Sequence, residues 1–174
     1  MFTKAQAGPS NVGDPASKFT VQYLDADGNM TIPSGGSRAW RCHNPGALLA
    51  SSYSMGKDRR AIGKAGDGNY TYAVYPDYDT GHEALVVMLR GSRYRRLTLA
   101  EASKRYVAED SDHISKIIKL TRGQLEPDRT IESLSDAEFE LYWRAIERNE
   151  SWQVGREDVI ESWVSAGVHK RQGT

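Results

Sequence analysis

The chain has 174 residues, 39% of them apolar and 26% charged, which is enough for one domain with a substantial buried core. Its 23 Lys and Arg balance 23 Asp and Glu, so no net positive charge drives long-range binding to nucleic acid or an anionic membrane. A single cysteine excludes an internal disulfide, and no apolar run approaches the roughly 18 residues of a membrane span.

Residues 1–18 are rich in Gly, Ala, Pro and Ser and read as a flexible leader without the apolar stretch of a secretory signal. A single domain is expected over 19–167, followed by a disordered basic tail at 168–174. "FTVQYLDADGNMTI" reads as a hairpin, with Phe19, Val21 and Tyr23 alternating before the Asp27-Gly28 turn. A second short strand is expected in "NYTYAVY", residues 69–75, stopped by Pro76. Helices follow. The first is capped by Asp79 or Thr80 and carries Ala84, Leu85, Met88 and Leu89 on one stripe. Thr98 with Glu101, and Ser135 with Glu138, have the spacing of reciprocal capping boxes. Between those two helices, Ile114, Ile117 and Ile118 predict another, closed by Gly123. "GREDVIESWVSAG" reads as a last, shorter amphipathic helix. The pattern predicts a small β element followed by four or five helices.

The residues that attract chemical interest each have a structural explanation beside them. Cys42 and His43 are adjacent, which points their side chains apart in an extended segment, so the thiol has no evident base and suits a small buried position. The four histidines show no paired spacing, and "DADGN" resembles a calcium loop only in part; no metal or cofactor is expected. The basic run "RGSRYRR" suits the C-terminal end of the preceding helix. Glu83, Glu101 and Glu109 are positioned for acid chemistry, although Glu101 is already explained by its capping box and Glu83 by a helix first turn. Trp40, Tyr70, Tyr72, Tyr75 and Tyr78 make the loop region aromatic, as sugar-binding clefts are and as cores are too.

Taken in order, "AWRCHNPGALL", "YAVYPDYDTGHEALVVMLR", "LTLAEASKRY" and "SLSDAEFELYWRAIERNESW" resemble a bacterial and phage family with an Arg-x-Asn-Asn-Pro-Gly-Asn type opening. That family is similar to lysozyme-like enzymes of the glucosaminidase and lytic-transglycosylase kind. Its members occur in virions and in secreted toxin modules. The resemblance spans about residues 36–157. Arg41, Asn44, Pro45 and Gly46 match its turn, Tyr75, Pro76, Thr80, Gly81 and Ala84 its next block, and residues 97–106 its following helix. Ala47 departs from the pattern, and the segment upstream holds Asp14, Asp25 and Asp27 but no Glu.

The resemblance implies a lysozyme-like, mainly helical α+β domain that cleaves the β-1,4 bond of the peptidoglycan glycan strand. Glu109, or secondarily Glu83, would be the acid. His43 and Asn44 would position the sugar, Arg41 would anchor the loop or touch substrate, and Trp40, Tyr72 and Tyr106 would contact it. Other readings are a non-catalytic wall-binding or phage structural protein, and an amidase using Cys42. The expected partners are peptidoglycan and an immunity protein or a secretion or phage apparatus, with no nucleic acid and no membrane insertion. Such a protein would be made in the bacterial cytoplasm and delivered to the periplasm of a target cell without a classical signal peptide.

Overall fold

A computed structural model describes residues 1–7, 20–51, 60–66, 70–107 and 112–160. Six strands form one sheet: β1 (Phe2–Ala7), β2 (Val21–Asp25), β3 (Met30–Ser34), β4 (Gly63–Gly66), β5 (Thr71–Val74) and β6 (Arg156–Ile160), in the order β5-β4-β1-β2-β3-β6. The helices are α1 (Arg38–Arg41), α2 (Tyr78–Arg90), α3 (Leu99–Tyr106), α4 (His113–Leu120) and α5 (Asp136–Asn149), with a 3-10 turn at Ile131–Ser133.

This mixed α/β arrangement corrects the expectation of a mainly helical, lysozyme-like domain with a small N-terminal β element. The sheet draws strands from Phe2 to Ile160. Strand β1 lies where a leader was expected and pairs antiparallel with β2 and parallel with β4. It buries Ala5 and leaves its other residues largely exposed, so its pairing rests on main-chain hydrogen bonds, which leave little trace in composition. Gly63 is obligatory for that contact, because a Cβ there would sit 1.9 Å from the Ala5 carbonyl oxygen. The rest of the leader and the tail fall outside the described residues.

Strand β6 is the second correction. Residues 156–160, expected to begin a helix, run antiparallel to β3 from Ser34↔Arg156 to Met30↔Ile160. Over five residues the helical period is a weak signal, and the open edge of β3 offers β-branched Val159 and Ile160 a ladder of backbone partners on one side. The hairpin of β2 and β3 forms as expected, and its turn is fastened by the Asp25 carboxylate, which accepts from the Asp27 and Asn29 amides at 2.9 Å.

Both capping boxes form. The cap of α2 is Asp77, which accepts from the Thr80 amide at 2.8 Å, rather than Asp79 or Thr80. Helices α2 to α5 enclose one core around Leu85, Leu89, Leu99, Ile117, Phe139 and Ile146. Val21, Tyr23, Cys42, Ala65, Tyr72 and Val74 make a second against the sheet. Among the described residues, no helix is long and apolar enough to cross a membrane.

Candidate functional site

The Asn-Pro-Gly turn sits between the sheet and the first turn of α2. The chain leaves α1 through Cys42, and His43 takes a left-handed backbone conformation (φ 48°). Asn44 follows, wholly buried. Its side-chain amide donates to the Leu48 and Ala73 carbonyls, each at 2.9 Å, and its side-chain oxygen accepts from the Leu48 amide at 2.8 Å. The turn thus replaces backbone partners that the irregular segment cannot supply for itself. Gly81 of α2 presses on it: a Cβ at that position would lie 1.8 Å from the His43 carbonyl oxygen. From α3, the Tyr106 hydroxyl donates to the Gly46 carbonyl.

Two polar features flank this turn. On the sheet side, the His43 ring packs against Tyr23 with centroids 4.7 Å apart and, more loosely, against Phe2. Its Nδ1 lies 3.2 Å from the Tyr75 carbonyl oxygen, and its Nε2 lies 3.7 Å from a carboxylate oxygen of Glu157 on β6. On the helix side, the first turn of α2 faces the last turns of α5. Tyr78 donates its hydroxyl to Glu147 at 2.8 Å. The Tyr78 and His82 rings stack at 6.0 Å, and His82 meets Trp143 at 4.2 Å. Trp152, just past α5, meets Tyr78 edge-on at 4.9 Å. All five of these residues are half-buried, so the cluster presents ring surface and one carboxylate to solvent. Burial first, then the bond to Glu147, pushes the Tyr78 hydroxyl well above the usual phenol range, so it stays a donor.

Trp152 is held from both sides. Its amide bonds to the Glu147 carbonyl, and the next residue, Gln153, exchanges bonds with Ser37, the cap of α1, at 2.9 and 3.1 Å. The segment then continues into β6, so one short stretch carries both Trp152 and Glu157.

The chain matches no family model, no curated protein and no solved structure.

The residues singled out from the sequence divide into three groups. Asn44, Trp40, Tyr72 and Arg41 serve the fold. Trp40 is buried beneath Gly36 and Gly155, and Tyr72 is buried beneath the Arg38 guanidinium, 4.0 Å from its ring. Arg41 donates to the Gly35 and Gly36 carbonyls at 2.8 and 2.9 Å, which anchors the loop. Tyr106 ties α3 to the turn. Glu83 projects into solvent and pairs with Arg60 at 3.2 Å. His43 keeps its Nε2 directed at the Glu157 carboxylate. Glu109 lies outside the described residues.

Cys42 is 1% exposed, and burial pushes its thiol up to about 12. The space it shares with Arg38, Ala39, Asn44, Ala47 and Tyr72 is too small for a water molecule. A nucleophile needs thiolate and access, and Cys42 has neither, so an amidase built on it has no support here.

Sequence reasoning placed Tyr78 only among the aromatic residues and His82 only among the unpaired histidines, and did not single out Glu147, Trp152 or Glu157. The signal was present in two helical spacings: Tyr78 and His82 are four apart on α2, and Trp143 and Glu147 four apart on α5. Only the packing of the two helices shows that these pairs face each other.

Proposed function

We propose that this protein acts on the glycan strand of bacterial peptidoglycan, as a hydrolase or lytic transglycosylase, and that the α2–α5 aromatic face is where the sugar docks. The observation that carries the reading is the Tyr78–Glu147 hydrogen bond set inside a cluster of half-buried rings. A pyranose ring has an apolar C–H face that packs on an aromatic, and Trp152 and Tyr78 offer such a surface. A carboxylate beside a docked sugar can stabilise an oxocarbenium-like transition state, and the Tyr78 hydroxyl fixes the orientation of this one. Glu147 takes that role. Glu109, three residues past the Tyr106 that touches the turn, takes the acid's role that the sequence resemblance implies. An enzyme of this kind would work outside the cytoplasm that makes it, as an antibacterial effector with an immunity partner and a delivery apparatus.

The test is to incubate purified protein with peptidoglycan and identify released fragments by mass spectrometry. New reducing ends or anhydro-muropeptides from the wild type, lost in Glu147→Gln and Glu109→Gln, support cleavage. Shortened peptide stems with intact glycan would contradict it.

One observation favours binding without cleavage. The carboxyl groups of Asp25, Asp77, Glu101 and Glu138 are each held below the ordinary range by hydrogen bonds. A general acid requires the opposite displacement. In that reading the same face retains the protein on the wall, and intact sacculi sediment with it without releasing fragments.

A further inference from the structure

His43 and Glu157 present a problem of proton placement. A carbonyl oxygen only accepts hydrogen bonds, so the contact with Tyr75 puts the proton of neutral His43 on Nδ1. Nε2 then carries a lone pair, and it faces the Glu157 carboxylate, a second acceptor, at 3.7 Å. With the ring neutral, two acceptors stand side by side, an arrangement relieved by a second proton on the ring or by a donor between them. Among the described residues, the groups packed on the pair do not supply that donor. The Tyr23 hydroxyl is engaged with the Arg41 carbonyl at 2.9 Å, Phe2 is apolar, and the nearby Asp77 carboxylate is itself an acceptor committed to the Thr80 amide. The imidazole side chain is 11% exposed and the carboxylate 46%, so the gap opens outward.

We propose that His43 Nε2 and the Glu157 carboxylate form a two-acceptor notch that receives a hydroxyl or amide N–H of the bound saccharide, making Glu157 a binding residue of the glycan site. The inference rests on the glycan reading above and extends its site across the first turn of α2. The ring of His43 is fixed by Tyr75 on one edge and by Tyr23 on one face, so Nε2 is preorganised and loses little freedom on binding. Glu157 and Trp152 are five residues apart, a span of at most about 17 Å even when extended, so an oligosaccharide of a few rings reaches both. Saccharides suit the notch because each ring carries several donors, and its acetamido groups add N–H donors.

The experiment uses the full chain labelled with nitrogen-15 and chitotetraose, the N-acetylglucosamine tetramer, as probe. Long-range proton–nitrogen spectra of the free protein are expected to show His43 with a protonated Nδ1 and a bare Nε2. Chitotetraose is expected to shift Nε2 together with the indole N–H of Trp152. Glu157→Gln puts an amide donor against Nε2 and fills the notch from within, so the affinity falls about tenfold while the melting temperature holds. A His43 ring already protonated at both nitrogens, or protonated at Nε2 alone, would overturn the notch. If chitotetraose shifts Trp152 but leaves His43 unmoved, or Glu157→Gln binds as the wild type does, the notch fails and the aromatic face stands. If neither residue responds, the notch fails together with the glycan reading on which it rests.

Discussion

On the sheet side of the turn at residues 43–46, Cys42 and Asn44 are closed away from solvent, and every polar atom of the Asn44 side chain meets the chain's own backbone. On the helix side, Tyr78, His82, Trp143, Glu147 and Trp152 stand half open, with one hydrogen bond among their side chains to set the carboxylate. The first region spends its polar groups on holding an irregular backbone in place. The second keeps ring faces and a charge available. Asn44, which draws attention in the sequence, holds the backbone of the turn, and under the glycan proposal it would organise the site without touching the sugar.

Substitutions should separate the two regions by kind as well as by size. Gly81→Ala is expected to have the largest effect, since its methyl would overlap the His43 carbonyl and force α2 off the turn. A loss of about 3 kcal/mol or more, visible as a fall of roughly 10 °C in melting temperature, is the expected outcome in thermal unfolding. Asn44→Ala should follow at about 2–3 kcal/mol, because it strands the Ala73 carbonyl and the Leu48 amide and leaves the Leu48 carbonyl only its bond from the Ala73 amide. Glu147→Gln should behave in the opposite manner. Its stability should stay within about 1 kcal/mol of the wild type, while wall binding or cleavage falls at least about tenfold. Should Glu147→Gln unfold the protein and leave activity per folded molecule intact, the division between the regions would be wrong.

Two smaller effects sharpen the same contrast. Iodoacetamide at pH 8 should leave Cys42 unmodified in the native protein and label it in denaturant, as mass spectrometry would show; rapid native labelling would mean the turn opens. Acid should weaken the fold gradually. The carboxyls of Asp77, Glu101 and Glu138 have folded-state pKa values below their ordinary ones, so the native state holds fewer protons than the unfolded one. Their contribution is present above the unfolded range, about pH 4, and is lost as the pH falls through the folded values. The melting temperature should drop between about pH 5 and pH 3, less steeply in Glu138→Gln.

The parts of this architecture that were legible in the chain are those written locally. Thr98 with Glu101, Ser135 with Glu138, and the Asp27-Gly28 turn each complete their geometry within four residues, and each forms. The six-stranded sheet was not legible. Gly63–Gly66 and Phe2–Ala7 have too few apolar residues to show alternation, and β6 joins β3 across more than a hundred residues. The site divides the same way. The Asn-Pro-Gly turn was visible as a motif, whereas the Tyr78–Glu147 bond depends on two helices 69 positions apart in the pairing they make. Glu157 depends on a strand that its own sequence does not announce.

The proposal that the α2–α5 face holds the glycan makes Trp152 a contact of the wall. It is tested most directly by sedimenting purified sacculi, in the cold and over minutes, with the wild type, Trp152→Ala and Cys42→Ala. Trp152 offers its ring without serving either core, so its removal should leave the fold intact. Wild type and Cys42→Ala should pellet alike, and Trp152→Ala, folded by circular dichroism, should stay at least about tenfold more in the supernatant, as expected for an aromatic anchor. Equal pelleting of Trp152→Ala and the wild type, or no pelleting of either, would contradict the proposal.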